Sequence, residues 1–399
     1  ALREALSHLE SALALITQLP KSDSRDRFEL DVRLTLGSAY FAFHGWVAIE
    51  VKEVLEPARE LARRLRDYEK LLPVTYFIWF HHGMRAEYAE AVAAAEEIQR
   101  VGARTNDTKA RVTGSMTRAC AHVWKGEFEQ ARTMGDEVLA VYDFEEHRGL
   151  AQFYNHDVKC LTLVWAGTWH WMLGYPDKAR ATCIEQLEHA KKVGHPFNLL
   201  WGLSGGAMGL LLRRETDLLV EWLKELRDIG LDLGMPIAEL LWSLWGGYAL
   251  IEQRRYREGY DLLSPGAEHW RQTGGLHITP YSNMMRAQAL SQLDDPRGAR
   301  TLDDDAIAVI DSTGHRMHEA EVYRTRGEIT LLEGLKASVK EAERDFEHSL
   351  RIAADQRARG WELRTSTSLA RLWQSQGKQK AARDLLAPVY DWFTEGFDT

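Results

Sequence analysis

The sequence predicts an all-α superhelix (an α-α solenoid) of tetratricopeptide-like helical hairpins, and three observations carry that prediction. The first is the stretch Lys109–Asp143, which reads as a helix ending near Lys125, a knuckle Gly126-Glu127-Phe128, and a second helix carrying Ala131, Val138 and Tyr142. Gly126 ends one helix where a Cβ would clash, Phe128 plugs the hairpin, and Ala131 is small where the two helices come closest. The second is the recurrence of that small residue: Ala131, Ala179, Leu219, Gly259, Ala299, Ala342 and Ala382 follow one another at steps of 48, 40, 40, 40, 43 and 40 residues, with Tyr88 lying 43 before Ala131. A period near 40 exceeds the ~34 of a minimal tetratricopeptide repeat and overlaps the ~40–47 of HEAT repeats. The tight Gly-x-aromatic-x-x-Ala knuckle favours tetratricopeptide-like hairpins with lengthened helices. The third is a Gly or Gly-x-Pro stop after the second helices, with no strand-period segment competing.

In chain order, Ala1–Leu19 is one amphipathic helix, stopped by Pro20 and the polar run Lys21–Asp26. Phe28–Phe43 follows, then a longer loop at His44-Gly45-Trp46 and the helix Val51–Arg66. Leu71–His82 pairs with Ala86–Val101, and beyond the Lys109–Asp143 unit a polar loop spans Asp143–Arg148. Tyr154–Leu173 pairs with Asp177–Val193, closed by Gly194-His195-Pro196; Phe197–Arg214 pairs with Asp217–Leu233, closed by Gly234-Met235-Pro236. Ile237–Gln253 pairs with Tyr256–Thr273 and Gly274-Gly275, and Tyr281–Leu293 with Arg297–Ser312 and Thr313-Gly314. Glu319–Leu332 pairs with Lys340–Arg359, closed by Gly360, after an irregular insertion Gly334–Lys340; Trp361–Gln376 pairs with Gln379–Phe393. About ten hairpins result, counting incomplete ends. They form one right-handed solenoid over 1–399, with N-terminal hairpins in 1–101, central Trp-rich hairpins in 102–275 and C-terminal hairpins in 276–399.

Composition narrows the function. A formal charge of −9 is spread without a basic stripe, which speaks against nucleic acid as a partner. Cys120, Cys160 and Cys183 stand far apart with no Cys-x-x-Cys, as expected of a reducing, cytoplasmic compartment and not of a structural zinc. Apolar patches near Trp165 and Leu241 are too short to span a bilayer. The chain opens inside a helix with no initiating Met, as expected of a piece of a longer protein.

Catalytic motifs are weak. Gly202-Leu203-Ser204-Gly205-Gly206 matches a nucleophile elbow but falls inside a first helix, where small residues permit close packing. No Gly-x-x-x-x-Gly-Lys-Ser/Thr phosphate loop is present. His315, His318, Glu319 and Glu321 lack zinc-ligand spacing and sit at a helix start, and Asp303-Asp304-Asp305 suits a helix N-terminus. No cofactor or metal is expected.

The runs His318-Glu319-Ala320-Glu321 through Arg326-Gly327-Glu328 and Trp361-Glu362-Leu363-Arg364 through Leu372-Trp373, with the tail Leu386–Thr399, carry a resemblance. They resemble the C-terminal tetratricopeptide region of bacterial STAND-type predicted ATPases and class III adenylate cyclase-like multidomain regulators. The resemblance implies a non-enzymatic sensor, with nucleotide-binding or cyclase domains upstream in the same full-length chain.

First helices line the concave groove of such a solenoid. Trp165, Trp201, Trp242, Trp245, Tyr248 and Tyr281 are therefore candidate groove residues, although tryptophans at helical spacing also serve as core. Trp201, Leu241, Tyr281, Glu321 and Arg364 occupy equivalent positions, and Ser204, Leu244, Met284, Arg324 and Thr367 form the row one turn on. Glu321, Arg324 and Arg364 are either a salt-bridge ladder between first helices or a clamp for an anionic group. His156 and Asp157, before the Trp-rich helix, are candidate polar contacts. The expected occupant is a protein segment or a small effector; the alternative is a constitutive scaffold holding a partner's peptide or helix.

Overall fold

The computed structural model describes residues 2–332 and 336–398, and its 22 helices are the only regular elements among them. A leading helix α1 (Leu2–Gln18) packs on the first of nine hairpins. These are α2 (Asp23–Phe43) with α3 (Ile49–Leu65), α4 (Tyr68–Met84) with α5 (Tyr88–Thr105), and α6 (Thr108–Trp124) with α7 (Phe128–Val141). Two short helices, α8 (Phe144–His147) and α9 (Leu150–Tyr154), precede α10 (Val158–Met172) with α11 (Pro176–Val193). Then come α12 (Pro196–Gly205) and α13 (Ala207–Leu212) with α14 (Thr216–Asp232), α15 (Ile237–Glu252) with α16 (Tyr256–Gln272), and α17 (Thr279–Gln292) with α18 (Pro296–Thr313). The last pairs are α19 (Glu319–Leu332) with α20 (Lys336–Asp355) and α21 (Arg359–Ser375) with α22 (Gln379–Tyr390).

In seven of the nine hairpins the knuckle is set by one left-handed residue: Ala86, Gly126, Gly174, Arg214, Arg254, Asp294 and Gly377 all have positive φ. The small residue follows each by five positions. This corrects one step of the register, because Ala91, fully buried, holds the place of Ala131, and Tyr88 holds that of Phe128. The interval is again 40 residues.

Where the sequence reading departs from the structure, a cap or a break explains it. Ser22 Oγ accepts the Arg25 N–H, so α2 starts inside the polar run at Asp23. Asp143 accepts the Glu146 N–H and turns the expected loop into α8. Asn155, at φ 58°, and the Asp157 cap move the start of the expected Tyr154–Leu173 helix to Val158 of α10, and Tyr154 instead ends the short α9. Gly206 interrupts the helix expected over Phe197–Arg214. Gly360 lies inside α21, where a Cβ would strike Trp171; the left-handed residue closing the preceding hairpin is Arg357. Of the expected insertion Gly334–Lys340, residues 334 and 335 lie outside the described residues, and α20 runs from Lys336.

The superhelix is closed. Three knuckles of the first turn are each met by the loop four hairpins further on. Met84 O accepts the N–H groups of Leu276 and His277, both at 3.2 Å, and Trp124 O accepts that of Arg316 at 2.9 Å. Trp171 packs on Trp361 with ring centroids 4.7 Å apart, and Arg364 donates to Leu212 O at 2.9 Å. The tail completes the seam: Glu395 Oε1 accepts the N–H groups of Asp177 and Lys178 at the start of α11, and Trp392 covers Gly174.

The backbones of α15 and α16 approach closely at two glycines. A Cβ on Gly247 would lie 2.9 Å from Leu263 Cα, and one on Gly259 would lie 2.9 Å from the Ile251 nitrogen. Backbone cannot yield as a side chain does. Gly247→Ala should therefore destabilise by about 1–3 kcal/mol even though alanine gains about 1 kcal/mol in helix propensity over glycine. Gly149→Ala, with open space around its Cβ, is the control and should be neutral or stabilising. Urea denaturation of both variants checks the contrast.

Candidate functional site

Between the two superhelical turns the first-helix faces line a small, partly open cavity of about 90 Å³. Trp165 of α10, Trp201 and Ser204 of α12, Leu241, Leu244, Trp245 and Tyr248 of α15, and Tyr281 of α17 line it. The two rows of equivalent positions meet there through Trp201, Leu241 and Tyr281 and through Ser204 and Leu244. Met284, expected in the second row, is buried elsewhere in the core.

Other wall residues were not legible as such. Trp46 arrives from the loop between α2 and α3, stacked on Trp201 at 5.1 Å and edge-on to Trp270 of α16 at 5.8 Å. Its carbonyl lies 3.0 Å from His81 Nδ1, and Val47 O accepts from Arg85, so two side chains of the α4 region hold the loop. His277 and His318 complete the wall together with Met84, Met208 and Met317. The only sequence signal was a tryptophan beside Gly45, which takes φ 94° where the loop turns inward.

The cavity wall contains no Asp, Glu, Lys or Arg among the described residues. His277 and His318 are fully buried, and burial lowers both to about 3, so they are neutral rings at pH 7. His315 packs 5.0 Å from His277, and the same desolvation pushes it well below the ordinary histidine value. Trp46, Trp201 and Trp270 each leave a buried indole N–H without a hydrogen-bond partner.

Of the expected site residues, His156, Asp157 and Trp242 lie outside this cavity, as do Glu321, Arg324 and Arg364. Asp157 is fully buried, and its carboxylate accepts from the Cys160 N–H, from Tyr142 Oη at 2.7 Å and, at 2.7 Å, contacts His189 Nε2. It caps α10 and has no face toward the axis, so the expected polar contact is corrected to a structural one. His156 stacks on Phe80 at 5.1 Å with Nδ1 3.1 Å from Tyr76 Oη, and burial holds it at about 3; it is likewise core. Trp242 stands outside the cavity, with the Arg227 guanidinium 5.4 Å from its ring. Ser204 Oγ donates to Leu200 O, a helical back-bond and not a nucleophile's arrangement.

Glu321, Arg324 and Arg364 sit at a second, polar cavity of about 480 Å³ near the tail, which Arg324 and Arg364 line. Glu321 accepts two bonds from Arg324, at 2.7 and 2.8 Å, and one from Arg364 at 3.0 Å. The two arginines hold its carboxyl at about 2 against the opposing effect of burial. Of the two readings the sequence left open, the geometry is that of the ladder.

No protein-family model matches the chain. In sequence it is 22% identical over 380 residues to an uncharacterized protein of Rhizobium meliloti (strain 1021), across 93% of this chain; it spans 36% of that relative's length. Among solved structures it is similar to a Rap protein complexed with Competence and Sporulation Factor, with a TM-score of 0.54 and 13% identity over 81% of this chain and 92% of that one. It also aligns with a STAND protein with a tetratricopeptide repeat sensor from Pyrococcus horikoshii, at 14% identity and a TM-score of 0.46 over 91% of this chain and 53% of that one. In fold, the chain is an all-α solenoid of tetratricopeptide type.

Proposed function

We propose that the chain is a non-enzymatic recognition domain, the sensor of a bacterial signal-transduction ATPase or cyclase-like regulator. It takes a small effector or a protein segment on its axial face and passes that state to nucleotide-binding domains elsewhere in the full-length protein. One observation carries this reading: the axial cavity is walled by both superhelical turns at once, with Trp46 and Met84 from the first and Trp270, Tyr281 and His318 from the second. An occupant there has different contacts when the turns part, and such differential affinity is what a ligand needs to shift a conformational equilibrium. A Rap protein of the same fold, described in complex with Competence and Sporulation Factor, supports recognition as the task. The small volume and apolar wall of the cavity favour a compact occupant over the long peptide of a constitutive scaffold. Three buried free cysteines, and no helix among the described residues long and apolar enough to cross a membrane, agree with a cytoplasmic placement.

A thermal-shift and tryptophan-fluorescence screen of the chain against metabolites and peptides tests this. A saturable hit that weakens at least tenfold in Trp201→Ala or Trp245→Ala is expected. Hits indifferent to both substitutions would move recognition off the axis and sink the reading.

A further inference from the structure

We infer that the axial cavity is a binding site for a small neutral molecule, a single ring or short branched chain bearing at most one uncharged oxygen. The inference rests on the sensor reading for the site's purpose and on the cavity's chemistry for the ligand class.

Charge is excluded by the wall. None of its residues is Asp, Glu, Lys or Arg among those described, and its two histidines, His277 and His318, are buried rings that carry no counter-charge. An ion entering would lose its hydration with no counter-charge to replace it, and an isolated charge does not remain ionised in such surroundings. A peptide backbone is disfavoured for a related reason, since its N–H and C=O groups would find few partners between aromatic faces. What the wall offers is ring faces and thioethers, which suit apolar and aromatic groups.

Size is bounded by the volume. About 90 Å³ falls short of the ~150 Å³ of an engineered apolar cavity that stays dry and takes benzene. The difference can be met by Met84, Met208 and Met317, whose unbranched side chains re-pack readily. The allowance for one oxygen comes from the unpartnered indole N–H groups of Trp46, Trp201 and Trp270. Buried donors without partners are uncommon in folded proteins, and a ligand acceptor that reaches one after a small ring adjustment satisfies it.

The test is a tryptophan-fluorescence and thermal-shift titration of the full chain with toluene and phenol against benzoate and benzylammonium. Saturable one-to-one binding of the neutral pair, with both ions at least tenfold weaker, is expected. Phenol should bind more tightly than toluene. Leu244→Phe, which fills the cavity, should abolish binding; Met208→Ala, which enlarges it, should admit indole. If Leu244→Phe does not fold, Met208→Ala decides alone, and an unchanged size preference overturns the inference. Failure of both neutral probes to saturate, or equal binding of the ions, overturns it too. A peptide hit in the broader screen combined with such failure leaves the sensor reading standing, whereas no response to either set removes both.

Discussion

Acidification from pH 7 to pH 5 is expected to unfold much of the solenoid. Burial holds His156, His170, His277 and His318 at about 3 and His81 at about 4, and His315 well below its ordinary value. In the unfolded chain each titrates near ~6.5. The stability from keeping these six rings neutral is therefore present above that value. It is lost as pH falls below it, because the unfolded state then binds protons that the native state refuses. Each ring contributes up to about 1.4 kcal/mol per pH unit once the unfolded form is fully protonated, so six approach about 8 kcal/mol per unit. Because pH 5 lies only about 1.5 units below ~6.5, the six together lose on the order of 11 kcal/mol, comparable with the whole stability of a domain at about 5–15 kcal/mol. Glu321, held at about 2, acts in the same direction below its unfolded value near 4.5. Asp303 opposes both, since burial raises its carboxyl and protonation relieves it, but it is one group against seven. Because His277 and His315 stand where Tyr88 of the first turn meets the second, the seam should part early. Helical circular dichroism and melting temperature, followed from pH 7.5 to 4.5, check this; a melting temperature unchanged down to pH 5 would refute it.

The repeat was legible in the sequence because its causes are local. A left-handed residue at the knuckle, a small residue five positions later and a glycine such as Gly194, Gly234 or Gly314 after the second helix are all demands of one hairpin on its own chain. Closure of the superhelix was not legible. The bonds from Leu276 and His277 to Met84 O join segments nearly 200 residues apart, and nothing in the period of 40 says how far the superhelix winds per hairpin. That winding narrowed an expected open groove to a small, partly open cavity. It also brought in Trp46 and Trp270, which no first-helix register contains. Asp157 shows the converse: its position directly before an apolar helix is that of a helix cap, and the structure holds it there.

Glu321→Ala should cost about 3–5 kcal/mol, the range for breaking a buried ion pair from one side. The carboxylate is 2% exposed and is shared by Arg324 and Arg364, so its loss leaves two guanidinium groups short of a partner in a desolvated place. Arg324 keeps Glu328, but Glu328 is 44% exposed in its side chain and its attraction is screened by water. Arg364 keeps Leu212 O and the faces of Trp171 and Trp361, at 4.9 and 5.3 Å. Glu328→Ala is the matched control and should cost less than about 1 kcal/mol. Urea denaturation separates the two, and a Glu321→Ala loss within 1 kcal/mol of the control would show that the ladder is ornament. The location of the loss matters as much as its size. Arg364 joins α21 to the end of α13 across the seam, so amide exchange should quicken first around Leu212 and Trp361. If it does, the ladder is one of the latches that keep the two turns together. A variant with the latch released should then admit cavity ligands faster without changing the wall that recognises them.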